Sequence, residues 1–247
     1  MTQETAPAPA WRVVETIAEN QNTTSLIIET DAETPTHRPG QFATIRVMRE
    51  DGWSEPHPFT ISCEPSGTRR KFTIKNVGSF TSAVRDLPPG APIQCSLPYG
   101  VFCKDIHDKE YIVMIAGGVG ITPFLSVLRA FRQDKAQNRV TLFWANKTLD
   151  DAFAAAELEE MTRELALTVV HVISRQPELP PADPSDRIFY EPGRISAALL
   201  QKHRAEPIAS YYLCGPPAMQ DAALAALQDC GVDKDAVQKE AFSFKKG

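Results

Sequence analysis

One glycine-rich stretch near the middle of the chain has the residue types of a nucleotide-binding turn. Residues 117–123 read GGVGITP, and they join an apolar run to a helical pattern. Glycines permit a tight turn and a close ligand approach, and free N–H groups at a helix start suit a pyrophosphate. Thr122 is a candidate helix cap, and Pro123 fits the first helical turn. The same turn could serve only to pack a helix on a sheet.

A second stretch of this kind begins at Cys214, where an apolar strand runs into glycine, proline and another helical pattern. In a parallel sheet, the carboxyl ends of the strands lie at one edge, and ligands bind there. Both turns would then face one crevice, which predicts a dinucleotide site. The residues predicted to form it are Gly117, Gly118, Gly120, Thr122, Pro123, Cys214, Gly215, Pro216 and Met219.

A third unusual stretch places His57 between Pro56 and Pro58 at the entrance to a strand. The two prolines fix their own φ angles and bias the residues before them toward extended geometry. The side chains that follow, Phe59 and Thr60, would therefore be held at set angles. A strand that merely begins at an edge proline would show the same pattern.

The first part of the chain consists of short alternating apolar segments separated by Gly- and Pro-rich turns, a pattern typical of an antiparallel barrel or sandwich. The predicted strands are 12–18, 24–30, 41–48, 58–62, 71–76 and 91–97, and one helix is predicted at 79–86. We assign residues 1–10 to a disordered polar tail and residues 11–108 to an antiparallel β-barrel domain.

From Tyr111 the pattern changes to strands that alternate with helices, which predicts an α/β domain with a doubly wound parallel sheet over residues 109–247. The predicted strands are 111–116, 139–145, 167–173, 210–214 and 236–242. The predicted helices are 123–132, 154–165, 195–203 and 216–228. The boundary between the two domains falls in the connection at 101–110, which we interpret as a polar segment.

Composition narrows the classes of function. The net charge of -5 argues against a nucleic-acid surface, which needs clustered Lys and Arg. The five cysteines form no Cys-x-x-Cys pair, so we expect no metal and no iron–sulfur cluster in this chain. No apolar run approaches the roughly 20 residues of a membrane helix. The start has no targeting pattern, so we expect no membrane span and a cytoplasmic location.

With these segments assembled, the chain resembles the ferredoxin-NADP reductase family nearly end to end, from Trp11 to Phe244. The resemblance implies that the barrel binds FAD and that the α/β domain binds NADH or NADPH. The family's flavin motif, Arg-x-Tyr-Ser or Thr, has its counterpart in His57-Pro58-Phe59-Thr60, a variant similar to that of NADPH oxidases and ferric-chelate reductases. A further match, residues 38–42, is expected to be a structural turn.

The resemblance also implies roles for the flavin-motif residues. Phe59 should pack on the isoalloxazine, Thr60 should bond near the reactive nitrogen, and His57 should lie toward the ribityl and pyrophosphate. Histidine clamps phosphate more weakly than arginine does. The segment 75–81, which starts the predicted barrel helix, should therefore share the diphosphate, although it also reads as an ordinary capped helix. Its candidate binding residues are Ile74, Gly78, Ser79, Phe80 and Thr81.

By the same resemblance, the closing stretch 240–244 lies against the nicotinamide side of the flavin, with Phe242 and Phe244 as cofactor contacts. Alternating phenylalanines in a last strand could equally be core residues. Cys214 should lie beside the nicotinamide carbon that gives up the hydride, as a positioning group and not as a nucleophile. The residues expected to be catalytic are Thr60, Cys214 and Glu240.

Two signals bear on the choice between NADH and NADPH, and they conflict. After the second strand of the α/β domain, Asn146 and Asp151 lie where the adenosine ribose is expected, and an acidic residue there would repel a 2'-phosphate. After the third strand, Ser174 and Arg175 lie where NADPH-using relatives hold that phosphate. The acidic stretch favours NADH.

The resemblance implies an FAD-dependent oxidoreductase that takes a hydride from NAD(P)H. It would pass electrons to a separate partner, such as a ferredoxin, a cytochrome, an oxygenase component or a hydrogenase-like complex, or to a small acceptor such as a ferric chelate. Two other readings stay open. The chain could be an electron-transfer subunit that is inactive outside a larger complex, or a non-catalytic nucleotide-binding protein on the same fold.

Overall fold

The chain forms an antiparallel and a parallel sheet, and a computed structural model describes residues 10–181, 187–203 and 209–241. The antiparallel strands are β1 Trp11–Asn20, β2 Thr23–Glu29, β3 Phe42–Arg49, β4 Gly52–Trp53, β5 His57–Thr60, β6 Arg69–Lys75 and β7 Pro92–Cys95. Their order is β4-β3-β7-β1-β2-β6, and β5 pairs with β3.

This first sheet closes on itself at the end of β5. Ile61 forms a bridge with Phe72 on β6, so β5 lies between β3 and β6 and closes the sheet into a barrel. Alternate residues of each strand point inward, and along β3 these are Ala43, Ile45 and Val47, all of which are buried. One helix, α1 Ser79–Arg85, adds Phe80 to the same core. The predicted antiparallel barrel is confirmed.

The second sheet has six strands, and all of its neighbouring strands are parallel. They are β8 Tyr111–Gly117, β9 Arg139–Asn146, β10 Leu167–Ile173, β11 Ile188–Pro192, β12 Ser210–Gly215 and β13 Val237–Ala241. The order is β11-β10-β9-β8-β12-β13, so the winding direction reverses between β8 and β12. That reversal is where a doubly wound sheet opens a crevice for a ligand.

Helices cover both faces of the parallel sheet. They are α2 Thr122–Asp134, α3 Ala155–Glu164, α4 Ala197–His203 and α5 Pro217–Asp229. Buried residues of α2 and α3, including Phe124 and Leu158, pack on one face. Residues of α4 and α5, including Leu199 and Ala223, pack on the other face. The predicted doubly wound α/β domain is confirmed, and every predicted helix agrees with the observed helix to within two residues at each end.

The structure corrects the sequence analysis in three places. Strands β4 and β11 were not predicted, because β4 has only two residues and β11 is a half-buried edge strand that ends in proline. Thr122 does not cap α2, because a 3-10 turn over Gly118–Ile121 continues directly into the helix and the Thr122 hydroxyl donates to the Val119 carbonyl at 3.0 Å.

The third correction concerns the connection between the domains, residues 101–110, which contributes apolar as well as polar residues. Phe102, Cys103 and Ile106 are buried in the core below β8 and β12, while the charged residues between them face outward. Within the described ranges, no helix has the length and hydropathy needed to cross a membrane. The same residues contain no group of three or more His, Cys, Asp or Glu side chains that could hold a metal ion.

Candidate functional site

The two glycine-containing turns pack directly against each other at the carboxyl ends of β8 and β12. A Cβ atom built on Gly120 would lie 2.3 Å from the Cys214 carbonyl oxygen. A Cβ on Gly215 would lie 2.9 Å from the Gly117 nitrogen and 2.5 Å from the terminal carbon of Met219. At these two positions glycine is required by close contact between backbones, and the prediction that both turns share one edge is correct.

Gly118 is glycine for a different reason. Its φ is +52°, and a Cβ there would meet no atom within 4 Å, so the position is open toward the crevice. Its carbonyl accepts a hydrogen bond of 2.9 Å from the indole nitrogen of Trp144, which is fully buried on β9. The turn is therefore anchored on its sheet side and presents bare backbone on the other side.

Cys214 and Glu240 are paired neighbours on β12 and β13, and they define the floor of the crevice. Burial raises the pKa of Glu240 to about 7, and its Oε2 has no hydrogen-bond partner among the described residues. Burial, reinforced by the negative charge of Glu240, holds the pKa of Cys214 well above its ordinary value, so Cys214 is a neutral thiol. The sequence analysis expected a positioning group here, and the environment fits that role.

Two residues that support this floor were missed by the sequence analysis. The amide nitrogen of Gln220 is buried and donates to the carbonyls of Gly215, at 2.8 Å, and Glu240, at 2.7 Å. Gln220 thereby ties the ends of β12 and β13 together from the first turns of α5. Trp144 fixes the glycine turn in a similar way, because its indole nitrogen donates to the Gly118 carbonyl. The sequence carries no local signal for Gln220, because Asp221 follows it directly and the burial of Gln220 is set by tertiary packing.

The flavin-motif strand, β5, alternates as its prolines predict. Pro58 is exposed, His57 and Phe59 share one face, and Thr60 is buried. The His57 ring stacks on Phe80 of α1 with a centroid distance of 3.8 Å, and the Phe59 ring lies parallel to Phe80 at 6.0 Å. Burial and then the charge of Arg49 lower the pKa of His57, so it is neutral at pH 7.

The segment before α1 is held together by the Thr81 hydroxyl. Its Oγ1 accepts hydrogen bonds from the backbone nitrogens of Val77 and Gly78, and it donates to the Gly78 carbonyl at 2.9 Å. Ser79 is exposed at the start of the helix, whereas Ile74 is buried in the barrel core. The Thr81 hydroxyl therefore shapes the loop, and the exposed face of that loop carries Ser79.

A third group of predicted residues meets beyond the ends of β9 and β10. The Asn146 carbonyl accepts from the backbone nitrogen of Ser174 at 3.1 Å, which brings Arg175 to the same edge. Asp151 closes a capping box with Thr148, leaving its Oδ1 uninvolved in that contact. The side-chain amide of Asn146 is buried, and neither of its polar atoms has a partner within the described part of the chain.

The barrel and the crevice adjoin each other through a short series of contacts. The Ile61 nitrogen, one residue beyond β5, donates to the Gln41 carbonyl at 2.9 Å. A Cβ on the neighbouring Gly40 would lie 3.0 Å from the Cβ of Cys103, whose pKa is raised by burial and then by Glu240. The flavin-motif strand and the floor of the crevice are thus on adjoining parts of one interface.

This arrangement fits a flavin and a dinucleotide. The Thr60 hydroxyl is buried and has no partner among residues 10–181, 187–203 and 209–241, as is also true of Glu240 Oε2 and the Asn146 amide. Buried polar groups normally have hydrogen-bond partners, and the polar edges of the two cofactors would supply them. The remaining predicted contacts, Phe242 and Phe244, lie outside the described residues.

Comparisons with known proteins agree with this assignment. Residues 114–224 match the family of oxidoreductase NAD-binding domains. The reductase component of propane 2-monooxygenase from Rhodococcus jostii is 29% identical over 211 residues, which are 83% of this chain and 55% of that protein. The flavohemoprotein of Bacillus subtilis is 25% identical over 210 residues, covering 84% of this chain and 52% of that protein.

A solved structure shows the same fold over nearly the whole chain. The flavohemoglobin of Malassezia yamatoensis, with bound FAD and heme, superposes with a TM-score of 0.82 at 22% identity, covering 95% of this chain and 60% of that one. The chain spans between 52% and 60% of the length of the curated relatives it matches here.

Fold and comparisons together define an antiparallel barrel joined to a parallel α/β unit, and most of the α/β unit matches the oxidoreductase NAD-binding domains. These similarities agree with the resemblance to the ferredoxin-NADP reductase family that the sequence motifs indicate.

The glycine turn leads to a prediction about stability. In Gly120→Ala, the new methyl group meets the backbone of Cys214 and Gly215 and must push two strands apart, which should cost about 3 kcal/mol. In Gly118→Ala, the methyl group points into open space and only the positive φ is unfavourable, at about 1 kcal/mol. Urea unfolding at equal m-values measures both. Equal losses in the two variants would contradict this account.

A second prediction concerns pH. Burial raises the pKa of Glu240 from 4.5 to about 7, so between these values the folded protein keeps a proton that the unfolded chain releases. Stability should therefore fall as pH rises through this window and stay low above it. Glu240→Gln removes the effect and should be more stable than the wild type by about 2 kcal/mol at pH 8, but not at pH 4.

Thermal unfolding of the FAD-free wild type and of Glu240→Gln across this pH range measures the difference. At pH 8 it should amount to several degrees in Tm. Parallel Tm curves for the two proteins would show that the carboxyl does not titrate abnormally.

Proposed function

We propose that the protein is an FAD-dependent oxidoreductase that takes a hydride from NAD(P)H and passes the electrons to a separate redox partner. The observation that carries this proposal is a set of three unpartnered or bare groups on elements at the junction of the barrel and the parallel sheet. These are the buried Thr60 hydroxyl on the barrel side, the open backbone of Gly118, and the Glu240 carboxyl beside Cys214.

Each of these groups has a defined task in the proposed reaction. Bound FAD would supply a ring that accepts an electron pair and releases electrons singly. Thr60 offers one hydroxyl, which can donate or accept as the protonation of its partner changes. The neutral Cys214 thiol fills space beside the nicotinamide without attacking it, and the Gly117–Gly120 backbone allows the dinucleotide to approach closely. Orientation is then the main source of rate.

Glu240 is suited to holding or moving a proton at its carboxyl. A pKa of about 7 means that the protonated and ionised forms are both populated at neutral pH. Its Oε2 has no partner within the described residues, so the proton is not committed to another side chain. The backbone carbonyl of the same residue is fixed by Gln220 at 2.7 Å, which limits movement of the carboxyl.

We propose NADH as the preferred donor. Asp151 carries a negative charge at the edge where the adenosine ribose is expected, with one carboxylate oxygen outside its capping box. A ribose diol could donate to that oxygen, whereas a 2'-phosphate would be repelled by it. Arg175 lies at the same edge, exposed, and its positive charge is what keeps NADPH in use as a weaker substrate.

The proposed acceptor is an oxygenase component. This is supported by the similarity to the propane 2-monooxygenase reductase component, which is named as one part of a larger system. A second candidate is a haem group, since the chain is also similar to flavohemoproteins. In either case the chain would act as the reductase part of a larger system.

The test is anaerobic reduction of the FAD-loaded protein. Adding NADH should bleach the yellow flavin spectrum, and the rate constant with NADH should exceed that with NADPH, because Asp151 disfavours the extra phosphate. Glu240→Gln is the paired variant, and it should show a lower rate constant and lose the wild type's pH dependence near pH 7. A protein that takes up no FAD, or a flavin that neither nucleotide reduces, would contradict the proposal.

A further prediction separates the two candidate phosphate contacts. Thr81→Val removes the hydroxyl that holds Val77 and Gly78 in place, so the whole loop before α1 should lose its shape. His57→Ala removes a neutral ring that stacks on Phe80. Thr81→Val should therefore weaken FAD binding more, by about tenfold for two lost hydrogen bonds. Fluorescence titration with FAD measures both, and a greater loss in His57→Ala would make the histidine the phosphate ligand.

A further inference from the structure

The segment that follows β5, the flavin-motif strand, is hydrogen-bonded to α2, the helix that follows the glycine turn. Ile61, Ser62 and Cys63, which follow β5, are all buried. The Ser126 hydroxyl on α2 donates to the Cys63 carbonyl at 2.8 Å, and Nη1 of Arg129 donates to the Ser62 carbonyl. Two consecutive carbonyls of the barrel domain are therefore bound by two side chains of the other domain.

Arg129 is itself held in place by a second helix. Its Nε and Nη2 form a bidentate pair with the Glu157 carboxylate on α3, at 2.7 and 2.6 Å. Burial alone would raise the pKa of Glu157, but the hydrogen bonds and the charge of Arg129 outweigh burial and keep this pKa low. The pair remains ionised at neutral pH, and the remaining guanidinium nitrogen is left to point at the barrel.

The spacing of the contact residues along α2 connects this interdomain contact to the candidate nucleotide site. Thr122, Ser126 and Arg129 are four and three residues apart, so they lie along one face of α2. Thr122 is bonded to the Val119 carbonyl in the glycine turn, at the start of the helix. The same helix face thus carries the turn at one end and the barrel contact about 10 Å further along.

The barrel side of the contact is equally fixed. The Ser62 hydroxyl bonds to the Lys71 carbonyl and to Thr73 Oγ1, both at 3.1 Å, on β6. His37 Nε2 lies 3.3 Å from the same Cys63 carbonyl that Ser126 binds. The two carbonyls therefore cannot turn away independently of the barrel.

A cleft of about 490 Å3 opens beside the contact, with Cys63, Lys71, Arg129 and Glu157 among its mostly polar lining residues. The hydrogen bonds of Ser126 and Arg129 are fixed points between α2 and the end of β5. Thr60 is only two residues before Ser62 along the chain.

We propose that Ser126 and Arg129 are positioning residues that set the distance between the flavin-motif strand and the glycine turn, and hence the alignment for hydride transfer. The proposal rests on the proposed function. Neither residue needs to touch a cofactor, because each acts through the Ser62–Cys63 backbone. A displacement of about 1 Å at a reacting centre can cost up to about a hundredfold in rate, so a contact of this kind is enough to matter.

The chain offers a matched control on the same two helices. Arg132 forms the same bidentate pair with Glu164 of α3, with Nε at 2.8 Å and Nη2 at 2.6 Å from the carboxylate oxygens. Arg132 is more exposed than Arg129, and the described structure shows no bond from it to the barrel. Arg129→Gln and Arg132→Gln therefore each break one α2–α3 ion pair, but only Arg129→Gln loses the barrel contact.

The experiment compares Arg129→Gln, Ser126→Ala and Arg132→Gln as FAD-loaded proteins. In the first two variants, the rate constant of flavin reduction by NADH in stopped flow should fall about tenfold, while the nucleotide Kd changes less than about twofold. Amide hydrogen exchange in residues 61–63 and 118–126 should rise together in these variants. Arg132→Gln should match the wild type in all three measurements.

Two outcomes would overturn the proposal. One is an equal effect of Arg129→Gln and Arg132→Gln, which would make the ion pair itself the cause. The other is a loss of FAD or nucleotide affinity with no change in the rate constant. Ser126→Ala removes a single hydroxyl, and it tests the proposal if Arg129→Gln does not fold. If the wild-type flavin is reduced by neither nucleotide, the proposed function fails, and the paired change in hydrogen exchange still decides whether the contact couples the domains.

Discussion

The contact between the glycine turn and the end of β12 is the constraint on which the site depends. Gly120 lies so close to the Cys214 carbonyl that a single methyl group would occupy the same space. This approach brings β8 and β12 together where the sheet reverses its winding, and it leaves the Gly118 backbone facing the crevice. Trp144 and Gln220 then fix the two sides by hydrogen bonds to backbone carbonyls. The crevice is therefore shaped by backbone packing before any ligand contact is considered.

The polar groups in this interface follow a common rule. Most buried polar atoms of the chain are bonded to backbone or to side chains of neighbouring elements, as with Ser62 on β6. Several groups depart from the rule within the described residues, among them Trp11, Arg70 and His171. Thr60, Asn146 and Glu240 are also exceptions, and the sequence analysis expected these three in the cofactor site. A group that is costly to leave unsatisfied is retained where a ligand completes its hydrogen bonds. Thr60, Asn146 and Glu240 therefore remain candidates for cofactor contacts.

Much of the architecture could be predicted because local pattern decides it. The strands β8, β9, β10 and β12 are mostly apolar runs, and their limits were predicted to within a residue. Strand β11 was missed because it pairs only with β10 and its half-buried residues carry no strong period. The roles of Gln220 and Arg129 could not be predicted, since each depends on a carbonyl at least 20 residues away, that of Glu240 or Ser62, which tertiary packing brings close.

Because His57 is neutral, the barrel side and the α/β side of the candidate site differ in what they contribute. In the family's motif an arginine occupies this position and brings a fixed charge, whereas here burial lowers the pKa of a histidine that stacks on Phe80. That stacking joins β5 to α1 and holds the strand in place at His57, where the histidine carries no charge. The same strand is gripped at its other end by Ser126 and Arg129. Fixed at both ends, β5 contributes mainly position to the site, and the titrating group is Glu240 on the opposite domain.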